Sequence, residues 1–195
     1  MPADRSTART PSVNRKQESG QHQRPQAFSQ SYHLAQVNIA LPLEPLDSSL
    51  LSEFVKRLAP VNAAADRAPG FVWRLQTEHG DATAITAFGD DRLIVNLSVW
   101  ESMTALRAFV FGSRAHLDVL RRRREWIARL GEVHLALWWV RGGQLPTVAD
   151  AEKRLAQLRA HGPRPEAFTF REHFPAPGPG GSVSTLDDRR LRPAG

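Results

Sequence analysis

From Tyr32 to Ala40 the chain alternates. Ala35, Val37 and Ile39 fall on one side, and Leu34, Gln36 and Asn38 on the other, the period of a strand with two unlike faces. Leu50, Leu51, Phe54, Val55 and Leu58 then recur at helical spacing behind the capping candidates Asp47 and Ser48, with Pro60 placed to kink or restart the helix. Pro69 and Gly70 break the chain before a short strand, Phe71 to Gln76, and the polar residues Glu78 to Asp81 read as a turn.

Arg92 to Trp100 repeats the two-faced pattern, with Leu93, Val95, Leu97 and Val99 opposite Ile94, Asn96, Ser98 and Trp100. Glu101 and Ser102 begin a helical stretch that reaches Leu130, broken near Gly112 and Ser113 and closed by Gly131. Val133 to Val140 is the most apolar strand, Thr147 opens a helix that His161, Gly162 and Pro163 close, and Ala167 to Phe174 reads as a last strand.

The order βαββαβ, with a further helix and strand, is the split βαβ of a ferredoxin-like α+β domain. It places one domain over residues 32–174, between disordered tails over 1–31 and 175–195. Both strand faces carry apolar or aromatic groups, among them Trp73, Trp100, Trp138 and Trp139. Helices on one side of the sheet leave its other face bare, so a second copy packed about a two-fold axis is expected: a homodimer.

Composition narrows the class. The chain is 41% hydrophobic and 24% charged, and it has no cysteine for a disulfide, thiolate metal site or nucleophile. No run approaches the roughly 20 apolar residues of a membrane span, and Met1 to Gln30 lacks the apolar centre of a secretory signal; a cytoplasmic protein away from membranes is expected. The net charge is +6. The first 31 residues contribute a surplus of three and those after Phe174 a surplus of one, which leaves +2 for the domain. With no recognition motif either, nucleic acid is not an expected partner.

Candidate chemistry lies on the second helical stretch and the strands. His116, Leu120, Arg123 and Ile127 fall within about 60° of one another at about 100° per residue. His116 thus borders an apolar face, as a general base or axial haem ligand would. The structural alternative is a histidine packed at the helix edge and hydrogen-bonded to the sheet or Ser113. Arg121 to Arg124 must fan out around the helix, and Arg123, on the His116 side, can bind an anion such as a carboxylate. Gln36 and Asn38 share one face of the first strand, and Asn96, Ser98 and Trp100 one face of the third; polar groups mid-strand often orient a ligand. Arg74 joins this substrate-binding set, as does Asn62, whose alternative role is to cap a helix restarted at Pro60.

The stretches YHLAQVNIA, PVNAAADRAPGFVWRLQ, NLSVWES, RAFVFGSRAHLDVLRRRREW, LALWWV and AHGPRPEAFTFREHFPAP resemble the bacterial family grouped as domain of unknown function 3291, in the dimeric α/β barrel superfamily. That superfamily includes antibiotic-biosynthesis monooxygenases and haem-degrading enzymes. The latter use an asparagine in the first strand, a tryptophan in the third and a histidine on the next helix, which Asn38, Trp100 and His116 resemble. The resemblance implies a monooxygenase-like oxidoreductase acting on a small planar or aromatic substrate, with no cofactor or with haem held by His116. The alternatives are a non-catalytic small-molecule-binding domain and a structural dimer whose pocket its own tryptophans fill.

Overall fold

The computed structural model describes residues 31–76 and 88–178. The expected turn at Glu78 to Asp81 and nearly all of both tails lie outside these residues. The elements are β1 (Tyr32–Ala40), α1 (Ser52–Asp66), β2 (Phe71–Arg74), β3 (Ile94–Trp100), α2 (Met103–Gly112), α3 (Arg114–Arg122), β4 (Leu135–Arg141) and α4 (Val148–His161). The four strands form one antiparallel sheet in the order β2-β3-β1-β4, the ferredoxin-like arrangement of a split βαβ.

Register fixes the two faces. β1 sets Leu34 against Trp100, Gln36 against Ser98 and Asn38 against Asn96 on β3, while Ala35 lies against Trp138 on β4. The face of Leu34, Trp100 and Leu137 packs against Ala65 of α1, Leu106 of α2 and Phe168. Beside it, Leu51, Phe54 and Trp126 form a smaller cluster joined by Ile94 and Val119.

The opposite face is not bare. Val37, Val95, Leu97, Val99 and Trp138 are buried with Ala151, Leu155 and Leu158 of α4. The helix expected as an appendage is a third layer, so the same chain supplies the cover for which a second copy was invoked. α4 is firmly begun: the Thr147 hydroxyl accepts from the Asp150 N–H at 3.1 Å while the Asp150 carboxylate accepts from the Thr147 N–H at 2.9 Å, a reciprocal capping box.

Other expectations need correction. α1 runs unbroken through Pro60; a proline removes one helical hydrogen bond, and here the turns on either side are held by packing of Phe54 and Ala65. Asn62 is therefore interior to the helix and caps nothing. The second helical stretch ends at a 3₁₀ turn, Arg123–Glu125, instead of reaching Leu130. Beyond it the backbone pairs with the segment after β1, through Leu43 N–H to Trp126 O and Ala128 N–H to Leu41 O, both 2.8 Å. Ala167–Phe174 is not a strand. Phe168 exchanges two 2.8 Å hydrogen bonds with Leu137, and the chain then turns as the Thr169 N–H bonds the Glu172 carbonyl at 3.0 Å.

Gly70 lies where α1 turns into β2 at a φ of +76°, and a Cβ there would meet Ala105 at 2.6 Å, so the close approach of α2 requires glycine.

If α4 supplies one side of the core, truncating its innermost side chain must cost as much as a sheet residue. Leu155→Ala is expected to lower stability by about 2–5 kcal/mol, measured by denaturant unfolding; a loss below about 0.5 kcal/mol, the range of surface changes, would show that α4 does not form part of the core.

Candidate active site

A cavity of about 870 Å³ lies between the sheet, α1, α3 and the segment that follows α3. Its lining includes Asn38, Asn62, Arg74, Asn96, His116 and Arg123. These six residues, all singled out from sequence, thus share one cavity, while Gln36 and Ser98 lie buried outside its lining. Asn38 and Asn96 are direct partners across β1 and β3, which puts their Cβ atoms about 5 Å apart. Asn62 joins them from α1, His116 from α3 and Arg123 from the 3₁₀ turn that follows it.

Trp100 is a further exception. It is 1% exposed and is not among the lining residues. Its indole N–H donates to Ser98 Oγ at 3.0 Å, and the Ser98 hydroxyl donates to Gln36 Oε1 at 3.1 Å. Trp100 stacks on Phe109 at 5.1 Å between centroids, and Phe109 meets the His116 ring at 5.2 Å. It supports the histidine from one layer beneath instead of touching a ligand. None of the five tryptophans lines the cavity, so the reading of a pocket filled by its own tryptophans fails.

The break between α2 and α3 orients His116. In an unbroken helix the Val110 carbonyl would accept from the N–H four residues on. Here Ser113 is extended, with φ −70° and ψ 119°, and the Val110 carbonyl is 2.9 Å from His116 Nδ1. A carbonyl only accepts, so Nδ1 carries the proton. Nε2 is left with its lone pair and has no partner among the described residues. Burial pushes the imidazole below its ordinary value of 6.5, against the opposing pull of the Val110 hydrogen bond. At neutral pH the ring is an uncharged base or ligand, fixed in one tautomer.

Arg74 is held by Asp66, with Nε to Oδ1 at 2.8 Å. Arg123 donates to the Leu120 carbonyl at 2.7 Å. Sequence reasoning missed Arg124, Arg129 and His134, which also line the cavity. The elements that bound the cavity also contribute apolar lining, with Phe54, Leu58, Ile94 and Ile127. Arg57 and Arg122 each lie over the Trp126 ring, at 5.6 and 4.8 Å from its centroid, contacts that add cation–π attraction to a buried indole.

The family model described as Domain of unknown function (DUF3291) matches residues 33–182. No curated protein matches the chain. Among solved structures the chain is similar to SnoaB, a cofactor-independent oxygenase from Streptomyces nogalater, at 18% identity over 60% of this chain and 96% of that one, with a TM-score of 0.36. It is also similar to Rv0793 from Mycobacterium tuberculosis, at 16% identity over 59% and 97% with a TM-score of 0.40. A protein of unknown function from Nitrosomonas europaea matches at 11% identity over 60% and 98% with a TM-score of 0.39. The fold assignment rests on the strand order and register of this chain. No helix among the described residues is long and apolar enough to cross a membrane.

His116 links the site to pH. The folded chain binds this proton more weakly than the unfolded chain, so stability rises with pH across the window between the two values. The His116 contribution is complete above 6.5 and is lost as pH falls from there toward the lower folded value. His116→Gln cannot titrate; its stability is expected to fall less than that of the wild type between about pH 7 and about pH 5, with parallel curves above pH 7. Superimposable slopes in denaturant melts across that range would show that the ring is not held neutral.

Proposed function

The chain belongs to the family described as Domain of unknown function (DUF3291), and on that premise we propose that it is a monooxygenase-type oxidoreductase acting on a small planar aromatic substrate without a nucleotide cofactor. The observation that carries this reading is the meeting of His116 with the side-chain amides of Asn38, Asn62 and Asn96 on one partly apolar cavity.

The chemistry follows from the groups present. His116 Nε2 takes a proton from a ring methylene activated by neighbouring aromatic or carbonyl groups. The amide N–H groups of Asn38 and Asn96 donate to the oxygen on which the resulting charge rests. The carbanion gives its electrons to dioxygen and a C–O bond forms; loss of water then leaves a carbonyl. The balance is CH₂ plus O₂ to C=O plus H₂O, so the substrate supplies every electron and no external reductant enters. Phe109, backed by Trp100, keeps the imidazole in place. Every residue in this scheme comes from one chain, so the expected homodimer is a separate matter from the chemistry.

Haem is the other cofactor expectation. A neutral histidine whose Nδ1 is fixed by a carbonyl would hold haem iron through Nε2, and the cavity arginines would meet its carboxylates; bound there, haem would supply oxygen activation. A non-catalytic binding role shares the cavity but predicts no turnover.

Oxygen uptake with a planar hydroxyanthrone separates these readings. The wild type is expected to exceed the uncatalysed rate, and His116→Gln to lower kcat/KM by about 10²–10³-fold. No uptake above background, or an unchanged rate in the variant, would overturn the oxygenase reading. In a parallel haemin titration, a Soret shift that His116→Ala abolishes would place haem on that side chain, and no shift would remove haem from the scheme.

A further inference from the structure

The charges around the cavity are divided unevenly. Of the arginines that lie on its bounding helices but do not line it, Arg57, Arg121 and Arg122 each have a carboxylate, Glu53 at 2.8 Å, Asp118 at 3.7 Å and Glu125 at 2.7 Å, while Arg114, at the start of α3, makes no ion pair among the described residues. Arg123, Arg124 and Arg129 do line it, and none makes an ion pair among the described residues. No aspartate or glutamate is among the lining residues described. Arg74 is the one lining arginine with a described acidic partner, Asp66.

From this division we infer that the cavity takes an organic carboxylate, with its apolar body against Phe54, Leu58, Ile94 and Ile127 and its charge met by Arg123, Arg124 and Arg129. The inference rests on reading the cavity as a small-molecule site and adds the charge class of the ligand. Arg123, Arg124 and Arg129 share the lining of one cavity without a protein carboxylate, and a bound anion supplies a countercharge. The planar guanidinium fork matches the two oxygens of a carboxylate. The sequence holds no glycine-rich phosphate loop, so a phosphate would have arginines alone. The mixed polar and apolar lining selects an amphipathic molecule over a bare inorganic ion.

The test compares two fluorescent planar probes of one shape, 1-pyrenecarboxylate and neutral 1-pyrenecarboxamide, binding to the full chain, with inorganic phosphate as a competitor. The acid is expected to bind at least tenfold more tightly than the amide and to weaken as salt rises. In Arg124→Gln/Arg129→Gln the gap should shrink to about twofold or less. Both side chains are exposed and unpaired, so an unchanged thermal midpoint in the variant is expected. Equal affinity for acid and amide, a gap that survives the double substitution, or full displacement by millimolar phosphate would overturn the assignment. These outcomes do not depend on oxygen uptake. Acid preference without turnover sinks only the oxygenase reading, and turnover without acid preference sinks only the carboxylate.

Discussion

The register of β1 against β3 is the constraint on which the rest of the structure depends. One set of alternate positions brings Asn38 to Asn96, Gln36 to Ser98 and Leu34 to Trp100; the other brings Val37 to Leu97 and Ala35 to Val99. A slip of one residue would exchange the sets, burying the asparagines under α4 and turning valines into the cavity. Burial of Val37, Val95, Leu97 and Val99 at 1% exposure or less therefore holds the asparagine pair in place. The sheet positions its polar floor by what it buries on its other side.

Along the asparagine face, polarity declines from the cavity inward. Asn38 and Asn96 line open space. One rung further, Gln36 and Ser98 are buried and must satisfy one another, which they do, with Ser98 also accepting from Trp100. At the next rung Leu34 and Trp100 are core. The chain thus passes from solvent-facing amides to apolar packing in three rungs, and no buried side-chain N or O atom among the described residues lacks a hydrogen bond.

This ordering explains what could be read from sequence and what could not. Two-sided alternation in 32–40 and 92–100 revealed the strands, their faces and the polar positions Asn38 and Asn96, but the pairing of the two came only with the register. It could not reveal that α2 would lie over Trp100, because alternation assigns a face and not a depth. The stretch from Trp126 to Leu130 deceived for a related reason. Trp126, Ile127 and Leu130 sit at helical spacing, but their backbone found partners at Leu41 and Leu43, and long-range pairing overrides weak local propensity. The bare face was likewise a correct reading of the strands with the wrong cover, since the pattern in 147–161 showed an amphipathic helix but not where its apolar side would dock.

The two departures from regular helix have linked consequences for charge and protonation. At Gly112 and Ser113 the break releases the Val110 carbonyl to His116, fixing the tautomer that leaves Nε2 basic. At Glu125 the end of the helical stretch acts on Arg129. Had the helix run on to Leu130, Glu125 and Arg129 would stand four apart on one face, the spacing at which opposite charges pair. Instead Glu125 binds Arg122 at 2.7 Å, and Arg129 lines the cavity without it. Unwinding of the last turn thus takes a carboxylate away from the cavity and leaves a cation there. A cavity that joins a neutral base to arginines without carboxylate partners follows from where two helices stop.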